Sequence, residues 1–184
     1  MKKILDLGCG SEKHQIQGAE VIGVDVVLKS NADVICDLNE FPWPFENDQF
    51  DELICRDVLE HLQNLPSVMA EIHRISKPGS RVKIRTPHYS SYYAYNNPTH
   101  IHHFGYYAFD YFCQDGKFRI IKKQLLFPRI WRMLGLSNIF NRYPKRWEQL
   151  LAFTFRAENM YIEMEVVKEG QKGERAKGCE SGLF

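Results

Sequence analysis

Short apolar runs recur along the first half of the chain, and each is followed at once by a glycine or a polar residue. The runs are Ile4–Leu7, Val21–Val24, Val34–Cys36, Phe50–Cys55 and Val82–Arg85. Strands without a polar face are typical of a sheet that is covered on both sides. The chain therefore predicts an α/β fold built on a doubly wound, mostly parallel sheet.

The connections between these runs differ in length. After the fourth run, Val68, Ile72 and Ile75 share one helical face, and Lys77-Pro78-Gly79 is a stop signal. This predicts a strand–helix–strand unit with parallel pairing. About 13 residues separate the first two runs, and fewer separate the second and third. Because a parallel crossover usually takes about a dozen residues or more, we expect a trimmed edge with a very short first helix and a bare loop as the second crossover.

The second half is rich in aromatic residues and histidines, including His88, His100, His102 and His103. We expect one domain over residues 1–168, with cap elements around 88–112 and 129–147, and a polar, mobile tail over 169–184. The predicted elements are a helix at Gly105–Cys113, a strand at Phe118–Phe127, an amphipathic helix at Arg129–Phe140 and a last strand at Met160–Val167.

The ends of the predicted strands carry the chemistry. In a doubly wound sheet, ligands bind where the carboxyl ends of the strands open at the switch point. Asp25 lies 17 residues beyond Gly8, near the spacing of about 20 expected for a carboxylate that holds a ribose. No third glycine follows Gly10, and Glu12 would repel a diphosphate. The pattern favours a nucleoside without a diphosphate over a nicotinamide dinucleotide.

Six motifs in order resemble the class I S-adenosylmethionine-dependent methyltransferases, from Ile4 to about Phe118. They are Ile4-Leu5-Asp6-Leu7-Gly8-Cys9-Gly10, Gly23-Val24-Asp25, Cys36-Asp37-Leu38, Trp43-Pro44-Phe45-Glu46-Asn47-Asp48-Gln49-Phe50-Asp51, Val58-Leu59-Glu60-His61-Leu62 and Ile75-Ser76-Lys77-Pro78-Gly79. The resemblance implies a Rossmann-like, seven-stranded sheet with an antiparallel last strand, S-adenosyl-L-methionine as cofactor, and methyl transfer as the reaction. The chain departs from the family in its short first loop and in having no helical segment before the first strand, so another element must cover the substrate site.

The resemblance also implies roles for single residues. Asp25 accepts hydrogen bonds from both ribose hydroxyls, Asp37 and the backbone at Leu38 meet the adenine edge, and Arg56 stands beside the cofactor and the reaction centre. The methionine part lies among Asp6, Gly8 and Gly10. The full set of expected cofactor-binding residues is Asp6, Gly8, Cys9, Gly10, Asp25, Val26, Asp37, Leu38 and Arg56.

Catalysis of methyl transfer depends mainly on positioning and on the exclusion of water, and a general base is needed only when the acceptor must lose a proton. The candidates for the catalytic site are His88, His100 and Arg56, with hydrogen-bonded structural histidines as the alternative. A metal held by His100, His103 and His88 is the less favoured interpretation, and we expect no metal site. Glu60 and His61 are expected to fix a helix start against the sheet.

Charge is distributed unevenly, although the formal net charge is only +1. Residues 33–60 hold nine acids and one base, and residues 117–147 hold nine bases and no acid, so the two stretches face different partners or each other. A small-molecule or anionic acceptor fits this pattern, while the sequence neither supports nor excludes a nucleic acid as partner. The alternative functions are a non-catalytic cofactor-binding scaffold with a basic interaction face, and a nicotinamide-dependent oxidoreductase.

The compartment is predicted from the cysteines and from the start of the chain. Five scattered cysteines with no CxxC pair favour reduced thiols in a cytoplasm. No secretory signal and no transmembrane segment are expected. The acceptor atom and the oligomeric state are not indicated by the sequence.

Overall fold

The computed structural model describes residues 1–168, and its strands form one seven-stranded sheet in the order β3-β2-β1-β4-β5-β7-β6. The predicted tail at 169–184 lies outside the described residues. The strands are β1 Lys2–Leu7, β2 Ala19–Asp25, β3 Val34–Ile35, β4 Phe50–Arg56, β5 Ser76–Pro87, β6 Phe118–Leu126 and β7 Asn159–Val166.

The first five strands are parallel, and β7 pairs antiparallel with both β5 and β6. The expected α/β class, the mostly parallel sheet and the antiparallel last strand are confirmed. From β1 the chain leads to β2 on one side, and β4 pairs with β1 on the other side. The strand order therefore reverses at β1 and β4, which opens a crevice at their carboxyl ends.

The connections at the β1–β3 edge contain no helix within the described chain, so the predicted short first helix is wrong, whereas the bare second crossover is confirmed. Residues 8–18 form turns and irregular loop instead. Gly8 and Gly10 have positive φ values of +65° and +55°, which cannot continue a right-handed helix. The backbone N–H groups of Gly10 and His14 donate to the side chains of Asp25 and Asp6, where a helix would have used backbone carbonyls as acceptors.

The predicted helix between β4 and β5 is confirmed as α1, Leu65–Ile75. Asn64 caps it by accepting the N–H of Ser67 at 3.1 Å. The helix buries Val68, Met69, Ile72 and Ile75 in the main core. Each such side chain contributes about 1.5–3 kcal/mol of burial free energy, so this face holds α1 against the sheet.

The second half contains shorter helices than the sequence predicted. The single helix expected over Arg129–Phe140 is wrong, because Gly135 has φ +73° and divides it. The segment expected as a helix over Gly105–Cys113 is a 3-10 helix at Ala108–Cys113. The helices of this half are α2 Tyr92–Asn96, α3 Arg129–Met133, α4 Leu136–Arg142 and α5 Pro144–Leu150.

An aromatic cluster attaches α4 and α5 to the sheet. Trp147 of α5 lies 5.2 Å from Phe127 and 6.2 Å from Phe140 between ring centroids, and Phe140 lies 5.5 Å from Phe155. Trp147 and Phe140 are buried. The two helices therefore share the core of the β6–β7 edge.

Some bases of the 117–147 stretch form ion pairs with acids that lie outside residues 33–60. Lys117 pairs with Asp115, and Lys123 pairs with Asp110 at 2.7 Å. Lys123 also lies 4.5 Å from the ring centroid of Tyr106. These contacts join the stretch to its own edge of the sheet. None of the helices within residues 1–168 combines the length and the hydropathy of a membrane-spanning segment.

Candidate active site

Three neighbouring strands end at one level and bring the predicted cofactor residues together. In the register of the sheet, Leu7 of β1 lies opposite Val24 of β2 and Cys55 of β4. The next residues along the three strands are Gly8, Asp25 and Arg56. Because Asp25 lies opposite Ile35 of β3, Asp37 follows two residues beyond the same edge.

The glycine bend is pressed against the segment that follows β4. The N–H groups of Gly8 and Cys9 both donate to the carbonyl of Val24, at 2.9 and 3.2 Å. A Cβ atom at Gly8 would lie 2.5 Å from Cγ2 of Val58. The bend therefore requires glycine both for its left-handed φ and for its close contact.

Asp25 is fixed by two backbone N–H groups. Its Oδ2 accepts from Gly10 at 2.8 Å, and its Oδ1 accepts from Val27 at 2.9 Å. A carboxylate has about four acceptor positions, so each oxygen keeps one for a ligand. This arrangement suits a pair of adjacent hydroxyl groups. The neighbouring Val26 has an exposed side chain.

Asp6 is buried and organises the loop after β1. Its Oδ2 accepts the backbone N–H of His14 at 2.8 Å and lies 2.9 Å from His14 Nδ1. Burial, followed by the charges of Asp6 and Asp25, raises the pKa of the Cys9 thiol to about 11. Cys9 therefore stays protonated and can only line the site.

Asp37 and Leu38 lie at the open end of this edge. Asp37 is exposed, and its Oδ1 accepts the backbone N–H of Asn39 at 2.9 Å. Leu38 is buried, and its carbonyl accepts the indole N–H of Trp43 at 3.2 Å. An apolar side chain and a carboxylate are thus adjacent here.

Arg56 connects β4 with the loop after β1. Its Nη2 donates to the carbonyl oxygen of Glu12 at 3.2 Å. The neighbouring Asp57 has φ +52° and pairs with Arg85. The guanidinium of Arg56 is therefore beside the glycine bend without an acidic partner of its own among residues 1–168.

The structure does not support His88 as a catalytic residue. His88 is fully buried, and its Nδ1 accepts the N–H of Ser90 at 3.1 Å. Its Nε2 therefore carries the proton and donates it to Glu148 Oε1 at 3.0 Å. Both ring nitrogens are occupied by protein groups, so neither can reach an acceptor.

Glu148 on α5 is a connecting residue that sequence reasoning missed. Besides His88, its Oε1 accepts the backbone N–H of Tyr106 at 2.7 Å. Burial works to raise the pKa of this carboxyl, but the hydrogen bonds from His88 and Tyr106 outweigh it and lower the pKa. No local pattern links residue 148 with residue 88, since the pairing depends on how α5 folds back.

The histidine cluster is also arranged differently from the predicted set. His103 is exposed and packs against Tyr95 at a tilted angle, with 4.4 Å between ring centroids. His102 Nε2 lies 2.8 Å from the carbonyl oxygen of Leu62. The ring of His100 instead packs 4.6 Å from His61. His88, His100 and His103 are therefore not brought together.

Glu60 is the second residue whose place in the site the sequence did not indicate. Its carboxyl is buried, and burial raises its pKa to about 7. Burial also lowers the pKa of His61, and the neighbouring His100 adds to that effect. The available signal was an acid next to a histidine, Glu60 and His61, shortly after the end of β4.

Comparison with known proteins agrees with this geometry. The sequence profile of a family described as "Methyltransferase domain" matches residues 1–146. A curated relative, the ubiquinone biosynthesis O-methyltransferase of Pseudomonas syringae pv. tomato, is 35% identical over 107 residues. That match covers 46% of this chain and 44% of the relative, so the chain spans less than half the length of that protein.

Solved structures resemble the fold over most of the chain. A methyltransferase from Archaeoglobus fulgidus, titled as dependent on S-adenosylmethionine, has a TM-score of 0.65 at 20% identity and covers 89% of this chain and 86% of its own. Haemonchus contortus phosphoethanolamine N-methyltransferase 2, solved with S-adenosyl-L-methionine, has a TM-score of 0.61 at 19% identity. It covers 91% of this chain and 49% of its own.

The resemblance stated from the sequence motifs is confirmed, and the scaffold and oxidoreductase alternatives are not favoured. The chain belongs to the methyltransferase domain family, and its fold is that of the S-adenosylmethionine-dependent methyltransferases.

Proposed function

We propose that this protein transfers a methyl group from S-adenosyl-L-methionine to an acceptor, with the cofactor bound at the shared edge of β1, β2 and β4. The observation that carries the proposal is Asp25, whose carboxylate is fixed by two backbone N–H groups beside the left-handed glycine bend. This geometry presents one acceptor position on each oxygen to the two hydroxyls of a ribose.

The other cofactor residues take their roles from their positions around Asp25. The bend at Gly8, Cys9 and Gly10 lines the methionine end together with the buried Asp6. The side chain of Val26 lies against the ribose, and Asp37 with Leu38 meets the adenine. The negative charges of Asp6 and Asp25 favour a cationic sulfonium ligand in this partly enclosed place.

The chemical step requires alignment more than acid–base groups. In the displacement, the acceptor atom bonds to the methyl carbon while the sulfur–carbon bond breaks, and the positive charge on sulfur is lost. Arg56, held by the Glu12 carbonyl, closes the cofactor cleft on the β4 side. A fixed cofactor and an excluded solvent supply most of the rate enhancement.

We propose that the cap elements around 88–112 and 129–147 cover the acceptor. Glu148, directly after the second of these, joins both by accepting from His88 and from Tyr106. His88 follows β5 directly, so this junction lies at the carboxyl edge of the sheet. A cap anchored there would exclude water from the methyl group in transit.

The acceptor is proposed to be a hydroxyl oxygen of a small molecule. The curated relatives named as O-methyltransferases support this choice. The bases of 129–147, among them Arg129 and Arg132, support an acceptor that carries negative charge. A nucleic-acid acceptor gains no support from a net charge of +1. Scattered cysteines without a CxxC pair support a cytoplasmic setting.

The test is transfer of labelled methyl from S-adenosylmethionine to a panel of phenols, catechols, hydroxy acids and amines. We expect label in a hydroxylated acceptor, and loss of that signal in Asp25→Ala. Asp115→Asn, which changes an exposed aspartate on the turn before β6, is the matched control and should keep full activity. Label found only in amines refutes the oxygen acceptor, and no cofactor binding refutes the proposed function.

A further inference from the structure

A carboxylate and two imidazoles meet at the carboxyl edge of β4 and β5, apart from the residues assigned to the cofactor. One carboxylate oxygen of Glu60 and one ring nitrogen each of His61 and His100 lie within 4.8 Å of one another. Glu60 and His61 belong to the 3-10 turn Leu59–His61 that follows β4, and His100 belongs to the segment that follows β5. The cluster therefore lies beside the cap element around 88–112 that we propose to cover the acceptor.

The carboxylate of Glu60 has an unmet hydrogen-bonding requirement. The residue is only 1% exposed, and its Oε2 accepts the hydroxyl of Thr86 at 3.1 Å. Its Oε1 is buried and has no partner among the described residues. A buried acceptor without a partner is costly, and native proteins rarely keep one unless another group satisfies it.

The surroundings of His61 set its tautomer. Its Nδ1 lies 3.2 Å from the carbonyl oxygen of Thr99 and 2.9 Å from the hydroxyl oxygen of the same residue. That hydroxyl in turn donates to Oδ1 of Asn97 at 2.9 Å. Since both oxygens accept from the ring, Nδ1 carries the proton, and the neutral imidazole keeps its lone pair on Nε2.

His100 is held in the same way. Its Nδ1 lies 3.2 Å from the carbonyl oxygen of Ala94, which can only accept. The lone pair of the neutral ring is therefore again on Nε2. Histidines that bind metals usually donate their other ring N–H to a carbonyl or carboxylate, which fixes the ring in this tautomer. Two neighbouring histidines and an unpartnered carboxylate oxygen thus share the chemistry of a metal site.

We propose that Glu60, His61 and His100 bind one divalent transition-metal ion, with Zn²⁺ the ion best suited to two imidazoles and one carboxylate. Bonds of about 2.0–2.2 Å in a tetrahedral site hold the ligand atoms about 3.4 Å apart, so the three side chains move slightly together when the ion binds. The fourth position is left for the acceptor. No metal was expected here from the sequence alone, and the proposal departs from that expectation.

The role of the ion rests on the proposed function. A hydroxyl of the acceptor fills the open position, its pKa falls, and its proton leaves to water. The oxygen then bonds to the methyl carbon as the carbon–sulfur bond breaks, and the electron pair of that bond stays on sulfur. The ion is neither oxidised nor reduced, and S-adenosylhomocysteine and the methyl ether are the products.

The experiment measures binding of Zn²⁺ by calorimetry to the full, untagged chain after its metal has been removed with a chelator. We expect one equivalent per chain. Glu60→Gln, which keeps the size of the side chain, and His100→Ala should each weaken binding at least about tenfold. His103→Ala removes a neighbouring exposed histidine outside the cluster and should bind like the unchanged protein. Binding below one equivalent, or an equal loss in His103→Ala, would overturn the proposal.

A second readout identifies the ligands. Co²⁺ in the same site should give visible ligand-field absorption without a charge-transfer band from thiolate. A thiolate band would assign the metal to cysteines and would contradict the proposed ligands.

Cofactor affinity separates this proposal from the proposed function. Glu60→Gln should keep its affinity for S-adenosylmethionine, and Asp25→Ala should keep its affinity for Zn²⁺. Zinc binding without any cofactor binding would defeat the proposed function alone. Methyl transfer that persists after complete metal removal would defeat the role of the ion.

Discussion

Asp25→Ala should weaken the binding of S-adenosylmethionine without unfolding the protein. The carboxylate accepts one hydrogen bond on each oxygen, from the backbone N–H groups of Gly10 and Val27 at 2.8 and 2.9 Å. Under the proposed function, its remaining acceptor positions bind the ribose hydroxyls. Because Asp25 keeps 8% of its surface exposed, water can reach the hydroxyls in the variant and recover part of the lost energy.

The net loss then resembles that of one hydrogen bond to a charged group, about 1.5–3 kcal/mol. This corresponds to a dissociation constant raised roughly 10- to 150-fold. Isothermal titration of both proteins with S-adenosylmethionine measures the change, and Asp115→Asn serves as the control. Thermal unfolding of each variant checks that the fold is kept. An affinity within twofold of the unchanged protein, with the fold intact, would refute the ribose assignment.

Two further predictions concern stability. Gly10→Ala should cost about 1–2 kcal/mol, because φ is +55° but the space around a Cβ is open. Gly8→Ala should cost at least about 2 kcal/mol, because its Cβ also overlaps Val58. Equal losses in urea unfolding would contradict the contact. Glu71 accepts from Arg74 at 2.6 Å, and this hydrogen bond lowers the pKa of Glu71 below its ordinary value of 4.5. The difference in free energy of unfolding between the unchanged protein and Glu71→Gln should therefore be largest at neutral pH and should shrink as the pH falls below about 4.5. A difference that stays constant from pH 7 to pH 3 would contradict this prediction.

The sheet and the edge proposed to bind the cofactor were predictable because both follow from local patterns. A buried strand requires a continuous apolar run, and Asp25 and Arg56 come directly after such runs. Parallel pairing then places those ends together without further information. The same reasoning wrongly predicted a short helix in residues 8–18, between β1 and β2. It gave too little weight to Gly8 and Gly10, which adopt left-handed backbone conformations.

The acceptor side was less predictable because its contacts join distant parts of the chain. Glu148 binds His88, which lies 60 residues earlier in the chain. His100, which follows β5 in the chain, packs against His61, which precedes β5. The histidine-rich sequence suggested His88 as a general base. In the structure, His88 is buried and both of its ring nitrogens are hydrogen-bonded to Ser90 and Glu148, which argues against that role. The break at Gly135 divided a helix that its apolar spacing favoured, since spacing does not report a positive φ.

The central claim is that one edge of the sheet binds the cofactor through Asp25 and the glycine bend. A crystal structure of the full chain with S-adenosylhomocysteine tests it most directly. The account predicts both ribose hydroxyls within hydrogen-bonding distance of the Asp25 carboxylate, and the amino-acid end of the ligand beside Asp6 and Gly10. Ligand bound elsewhere, or a ribose that does not contact Asp25, would contradict it.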